Sequence, residues 1–123
     1  MKKLFLIGLM MLTGSAWAEW VMYDWNDTTT YFFDPATIRK DGNMRRVWEL
    51  VDSRERQKDG SMSLRLRIEY DCKNERMKFL GISVHTEPMA RGTVLGTASE
   101  SKNWTEIAPN TAPETMLKII CAK

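Results

Sequence analysis

The most regular pattern in the chain is the alternation of apolar and polar residues from Met62 to Cys72. Every even-numbered position is apolar, aromatic or cysteine, and every odd-numbered position between them is polar. A period of two is typical of a β-strand that buries one of its faces. The pattern therefore predicts a strand in which Cys72 points toward the core, whereas Arg65 and Arg67 point away from it.

A second strand is predicted over Met77–Thr86, after the polar turn Lys73–Glu75. Together the two strands predict a long antiparallel hairpin. One face of the second strand is expected to carry the aliphatic side chains Leu80, Ile82 and Val84. The other face is expected to carry Phe79, Ser83 and His85.

Four shorter segments rich in β-forming residues complete the predicted sheet. They are Trp20–Trp25, Thr29–Phe33, Met44–Asp52 and Thr93–Thr97. Met44–Asp52 has apolar residues at both odd and even positions, as expected of a central strand covered on both faces. We therefore expect Trp48 in the core, whereas Trp25, beside a turn, is the better candidate for an interface.

The period changes from two to that of a helix near the C-terminus. Thr111 and Glu114 fit a capping box, with Pro113 in the first helical turn. The apolar positions that follow recur at helical spacing; they are Met116, Leu117, Ile120 and Cys121. The predicted fold class is α+β, an antiparallel sheet of about five to six strands with a short C-terminal helix packed on it.

Residues 1–18 have the pattern of a cleaved export signal. Lys2 and Lys3 precede the apolar run Leu4–Leu12, and Ala16–Ala18 supplies the small residues that a signal peptidase recognises. A membrane anchor is the alternative, but a spanning helix needs about 20 apolar residues. We expect a domain over residues 19–123 that is periplasmic or secreted, and cell-surface association stays open. Residue 19 is Glu, so the cysteine-linked lipid anchor of bacterial lipoproteins is not expected.

Removal of the signal also changes the charge. It lowers the count of Lys and Arg from 18 to 16, equal to the 16 Asp and Glu residues. A domain without net charge or a polybasic run is not expected to bind nucleic acid. The sequence also lacks the common catalytic motifs, and its single histidine limits acid–base chemistry. We predict a protein that is not an enzyme; a small hydrolase using Asp24, Asp27 or Asp34 is the alternative.

Cys72 and Cys121 are the only cysteines. In a chain sent to an oxidising compartment, one disulfide is the simplest interpretation. A metal site formed by both thiolates and His85 is the alternative, although structural zinc prefers four ligands. We expect neither a metal nor a cofactor.

Several motifs, in this order, resemble the surface-adhesin protein E family of small exported bacterial proteins. They are YFFDPATIRKDGN (31–43), VWELVD (47–52), IEYDCKNER (68–76), NWTEIAPN (103–110) and ETMLKIIC (114–121). The resemblance implies a compact α+β domain with a disulfide between Cys72 and Cys121. It also implies, for some members, binding of host extracellular-matrix proteins and of haem. His85 is then a candidate axial haem ligand, with a surface or rim position as the alternative.

Candidate partner-binding residues follow from side-chain chemistry, because Trp and Arg dominate the energetics of protein interfaces. They are Trp25, Arg45, Arg46, Arg65 and Arg67. The alternative for the arginines is a solvated face of mixed charge. Our leading hypothesis is a binding module of the bacterial envelope that contacts a host extracellular-matrix protein. A periplasmic housekeeping or structural protein without a host ligand is the alternative, and the oligomeric state is not predicted.

Overall fold

The alternating stretch forms a central strand of an antiparallel sheet in the computed structural model, which describes residues 19–122. The strands are β1 (Val21–Trp25), β2 (Thr29–Phe33), β3 (Arg39–Asp41), β4 (Met44–Ser53), β5 (Ser63–Asp71), β6 (Arg76–Glu87), β7 (Arg91–Ala98) and β8 (Thr105–Glu106). Their order in the main sheet is β1-β2-β4-β5-β6-β7, with β3 paired to β4 and β8 to β6. The helix α1 spans Ala112–Cys121. The predicted fold class is confirmed, whereas the predicted export signal lies outside the described residues.

The pairing of β5 with β6 contains a bulge at Leu80. Arg67 lies opposite Gly81 and Ile68 opposite Phe79, so Leu80 is an extra residue between them. Because a bulge shifts the alternation by one position, Phe79 shares the face of Ile82, and both pack against the core. The prediction that placed Phe79 on the opposite face is therefore wrong.

One face of the sheet, hereafter the covered face, packs against α1. Five sheet residues and three helix residues form its buried core: Phe33, Val47, Leu66, Ile68, Tyr70, Met116, Leu117 and Ile120. Burial of each large apolar side chain stabilises the fold by roughly 1.5–3 kcal/mol. The even-numbered apolar residues of β5 thus pack against the apolar stripe of α1 in one core.

Side-chain caps fix the start of α1. The Thr111 hydroxyl accepts a hydrogen bond from the backbone N–H of Glu114 at 3.4 Å. The Glu114 carboxylate in turn accepts one from the backbone N–H of Asn110 at 3.0 Å. The predicted cap therefore forms, with Glu114 reaching one residue before the N-cap rather than the N-cap itself.

The disulfide joins Cys72, directly after β5, to Cys121 at the end of α1. The two Cα atoms are 5.7 Å apart, a usual separation for this bond. The predicted disulfide is confirmed. Because the two sulfurs are bonded to each other, the alternative zinc site is excluded.

The opposite face of the sheet, hereafter the open face, carries no α-helix within residues 19–122. A short turn, Pro88–Ala90, lies across it and is held by two hydrogen bonds. The N–H of Met89 donates to Asp52 Oδ1 at 3.0 Å, and the N–H of Ala90 donates to Ser63 Oγ at 2.9 Å. A 3₁₀ helix, Pro35–Thr37, follows β2.

In the part of the chain that the structure describes, no helix has both the length and the apolar character needed to cross a membrane.

Candidate functional site on the open face

The strand register assigns a face of the sheet to each predicted partner-binding residue, because residues paired across neighbouring strands point the same way. Arg65 and Arg67 alternate with the core residue Leu66 and therefore lie on the open face. Arg46 lies opposite Glu69, and Trp25 belongs to the row that contains Ser63, so both share that face. The ring of Trp25 is exposed, at 63%. Four of the five candidates thus lie on one face of the sheet.

Arg45 is the exception. It lies opposite the core residue Tyr70, on the covered face. Its Nη1 donates to the carbonyl oxygens of Gly42 at 2.8 Å and of Met44 at 3.0 Å. These bonds close the turn between β3 and β4, so Arg45 does not join the surface formed by the other candidates.

At the end of the open face that carries Glu69, the charged side chains pair with one another. Arg46 Nε lies 3.2 Å from Glu69 Oε2, and Lys78 Nζ lies 4.0 Å from Glu69 Oε1. The ring of Trp104 stacks on Arg76 and Lys78, with its centroid 4.6 Å and 4.8 Å from their charged groups. Arg46 is therefore already paired inside the chain and offers less free charge to a partner.

Asp71 organises the turn at this same end of the sheet. Its side chain accepts hydrogen bonds from the backbone of Lys73 and Asn74, from the Asn74 amide, and from Arg76 Nε at 2.9 Å. The bonds from Asn74, with the bond and the charge of Arg76, lower the pKa of the Asp71 carboxyl to about 2. Asp71 thereby holds the segment that carries Cys72.

Arg65 and Arg67 differ from Arg46 in having no acidic partner. Neither forms an ion pair or a side-chain hydrogen bond with any residue in the range 19–122. The guanidinium carbon of Arg65 lies 4.4 Å from the ring centroid of Trp48. Trp48 is half-buried on the open face, so its predicted place in the core is wrong; Val47, its neighbour on β4, takes the core position instead.

A pocket of about 370 Å³ opens beside this stack. We call it the aromatic pocket; its lining residues are Trp20, Asp34, Thr37, Trp48, Arg65, Met89 and Ala90. Its volume lies within the range of small ligand sites. The Thr37 hydroxyl accepts a hydrogen bond from the Trp48 backbone N–H at 3.0 Å and donates one to the Asp34 carbonyl at 2.7 Å. One wall is therefore tied to β4 before any partner arrives.

His85 lies on the open face but is buried, with 7% of its surface exposed. Its Nε2 is hydrogen-bonded to Ser83 Oγ at 2.8 Å, and its buried Nδ1 has no hydrogen-bond partner. Burial, and then the charge of Arg65, lower the pKa of the ring. The predicted surface or rim position is wrong. Neither ring nitrogen is both free and exposed, so His85 does not fit as an axial haem ligand in this conformation.

Sequence reasoning missed Glu49, which lies in the core of the covered face and is 2% exposed. Its carboxylate accepts hydrogen bonds from the hydroxyls of Tyr23, at 2.5 Å, and Tyr70. Burial raises the pKa of the Glu49 carboxyl to about 7, although the two tyrosine hydrogen bonds lower it. An acidic residue between Val47 and Val51 was the available signal, because a charge in an apolar segment requires local partners.

The alternative hydrolase would need acidic groups that act together. Asp24 instead accepts a hydrogen bond from the N–H of Trp25 at 2.8 Å, and Asp34 accepts one from the N–H of Ala36 at 3.1 Å. The Asp24 bond is to the next residue of β1, and the Asp34 bond caps the 3₁₀ helix that follows it. Within residues 19–122, no group of three His, Cys, Asp or Glu side chains is arranged to hold a metal ion.

Both the fold and the sequence of this chain have counterparts among known proteins. Among curated protein sequences, none matches the chain. Crystal form II of Haemophilus influenzae protein E matches with a TM-score of 0.60 and 17% identity, over 86% of this chain and 96% of that one. Its selenomethionine form matches with a TM-score of 0.61 and 16% identity, over 80% and 89%. At these identities the likeness concerns the fold alone. The sequence profile of the surface-adhesin protein E family, however, matches residues 20–122. This chain therefore belongs to the surface-adhesin protein E family.

Proposed function

We propose that the chain is a non-enzymatic binding module of the bacterial cell envelope that attaches to a host extracellular-matrix protein. Membership in a family of surface adhesins supports a role in binding. The partner and its matrix origin are our own step beyond that membership. We also propose that residues 1–18 are removed on export, which leaves a domain over residues 19–123.

The observation that carries this proposal is the pair of arginines without acidic partners on the open face. Arg65 and Arg67 are exposed and lie beside Trp48. Arg and Trp are the side chains that most often dominate binding energy at protein interfaces. Because the domain predicted from the sequence has no net charge, long-range attraction contributes little, and short-range contacts of this kind must hold the partner.

The test compares variants of the exported protein for binding to immobilised extracellular-matrix proteins such as fibronectin and collagen. We expect the double variant Arg65→Ala with Arg67→Ala to bind about tenfold more weakly than the wild type, with its melting temperature nearly unchanged. Lys118→Ala is the matched control, because Lys118 is exposed on α1, on the other side of the sheet. Unchanged affinity in the double variant would remove the open face from the proposal.

The residue at the predicted cleavage site favours a second candidate, a periplasmic protein without a host ligand. That residue is Glu19 rather than a lipid-carrying cysteine. Protease added to intact cells distinguishes the two candidates. Degradation of the protein supports display on the surface, and protection supports the periplasmic role. An intact mass beginning at Glu19 is expected for the exported protein in both cases.

A further inference from the structure

We propose that the aromatic pocket binds an acidic segment of a partner protein in an extended conformation, with Arg65 holding a carboxylate and Asp34 accepting a backbone N–H. This inference rests on the proposed function, because it names the part of the open face that meets the partner.

The guanidinium of Arg65 is preorganised for a carboxylate. Its guanidinium carbon lies over the Trp48 ring, 4.4 Å from the centroid, and its N–H groups have no bonded oxygen in residues 19–122. A planar guanidinium binds a carboxylate through two parallel hydrogen bonds. Two other arginines of the sheet are less available to a partner, because Arg46 already contacts Glu69 and Arg76 already contacts Asp71.

The charges around the pocket favour an acidic partner. Arg67 lies two residues from Arg65 on the same face and is also unpaired within the described chain. Of the acidic groups in neighbouring rows, Glu69 is paired with Arg46 and Lys78. Asp52 accepts the neutral N–H of Met89 and keeps its own charge. The positive charge of the two arginines is therefore not compensated by an ion pair inside the chain.

Asp34 is the one acidic group in the pocket itself, and it makes the site selective. Its Oδ1 accepts the N–H of Ala36, whereas Oδ2 has no hydrogen-bond donor within residues 19–122. Asp34 is 6% exposed and forms no ion pair with Arg65. A peptide supplies both kinds of group that the pocket lacks, a side-chain carboxylate for Arg65 and a main-chain N–H for Asp34. A simple anion supplies only the first.

The pocket also has apolar walls that fit a side chain next to the acidic one. Trp20 and Met89 line it, and the turn that carries Met89 is anchored to Asp52 and Ser63 on the sheet. Met89 and Ala90 have φ values of 62° and 58°, in the left-handed region that residues other than glycine rarely adopt. Because the wall that carries Met89 is anchored in the free protein, little ordering of it is needed when a segment binds.

The test uses the acetylated and amidated pentapeptide Gly-Asp-Phe-Glu-Gly, compared with Gly-Asn-Phe-Gln-Gly. Binding to the exported protein is followed by NMR, through the indole N–H of Trp48 and the Nε–H of Arg65. We expect the acidic peptide to shift both signals and to bind at least about tenfold more tightly than the amide peptide. Added salt should weaken binding of the acidic peptide and leave binding of the amide peptide unchanged.

Three variants separate charge, geometry and general effects. Arg65→Gln should weaken acidic-peptide binding by about tenfold or more, and Arg65→Lys should restore only part of it, because a lysine keeps the charge but not the planar fork. Lys118→Gln removes the same charge from the opposite side of the sheet and should change nothing. Melting temperatures confirm that each variant is folded.

Equal binding of the two peptides, or unchanged binding by Arg65→Gln, would overturn the pocket proposal. Its failure is distinguishable from failure of the adhesin proposal. A chain that binds matrix proteins while the acidic peptide leaves Trp48 and Arg65 unshifted keeps the adhesin function and loses the pocket. A chain that binds the acidic peptide through Arg65 but no matrix protein keeps the pocket and loses the matrix partner.

Discussion

Replacement of Glu49 by Gln should remove a pH dependence of stability that the buried carboxyl creates. The amide keeps the size of the side chain and can still hydrogen-bond to Tyr23 and Tyr70, but it does not titrate. In the wild type, burial raises the pKa of Glu49 from 4.5 to about 7. A difference of that size between folded and unfolded chains corresponds to a free energy of about 3 kcal/mol, at about 1.4 kcal/mol per pH unit.

The direction in which stability changes with pH depends on which state, folded or unfolded, releases the Glu49 proton first as the pH rises. The unfolded chain loses the Glu49 proton near pH 4.5, whereas the folded chain holds it to about pH 7. The contribution of Glu49 to stability is therefore complete below pH 4.5 and is lost as the pH rises through 7. We expect the unfolding free energy of the wild type, minus that of Glu49→Gln, to fall by about 3 kcal/mol between about pH 4 and pH 8.

The difference between the two proteins is the quantity to measure, because His85 acts in the opposite direction. Burial lowers the pKa of His85, so its contribution is present above its unfolded pKa of 6.5 and is lost as the pH falls through the folded value. Both proteins contain His85, so its contribution cancels in the difference. Urea unfolding followed by tryptophan fluorescence, at a series of pH values, supplies the free energies.

Two further variants test the assignment of this titration. Tyr23→Phe removes a hydrogen bond that lowers the pKa of Glu49, so the midpoint of the pH dependence should move to higher pH. Glu106→Gln changes an exposed carboxyl on β8 and should leave the wild-type curve unchanged in shape. A difference between wild type and Glu49→Gln that stays constant across the pH range would refute the reasoning.

Three other predictions concern the same fold. Leu66→Ala should lower the unfolding free energy by about 2–5 kcal/mol in urea unfolding, because Leu66 is buried against α1. Cys121→Ser should lower it by about 2–5 kcal/mol, and two free thiols in the purified exported wild type would contradict the bond on which this rests. Asp71→Asn should cost about 1–3 kcal/mol near neutral pH through lost hydrogen bonds. Because the pKa of Asp71 is lowered to about 2, its contribution is present above pH 3.8 and is lost as the pH falls through 2; acid unfolding of the two proteins should converge there.

The sequence predicted the parts of the fold that depend on regular local patterns. The alternation in β5 identified its covered and open faces, and the change of period located α1. It did not reveal the bulge at Leu80, because one inserted residue leaves an apolar run apolar. The strands β3 and β8 have three and two residues, too few for any period to be visible.

The candidate site was harder to predict, because segments that are distant in sequence build it. Alternation correctly placed Arg65 and Arg67 on an outward face. It could not identify the face of Trp48, since β4 is apolar on both sides and its register is set only by pairing. The meeting of Trp20, Asp34 and Met89 at Trp48 depends on where the segments after β2 and β6 lie, and no local pattern encodes that arrangement.

The packing of α1 against β1 has a consequence for the order of events during export. Within residues 19–122 the last element packs against the first, and Cys121 must reach Cys72 before the covalent bond can form. Until α1 has packed, the apolar side chains of Val47, Leu66 and Ile68 on the covered face therefore stay exposed to water. During that interval the sheet is vulnerable to aggregation. The core of the covered face is therefore complete only when the C-terminal residues have joined it.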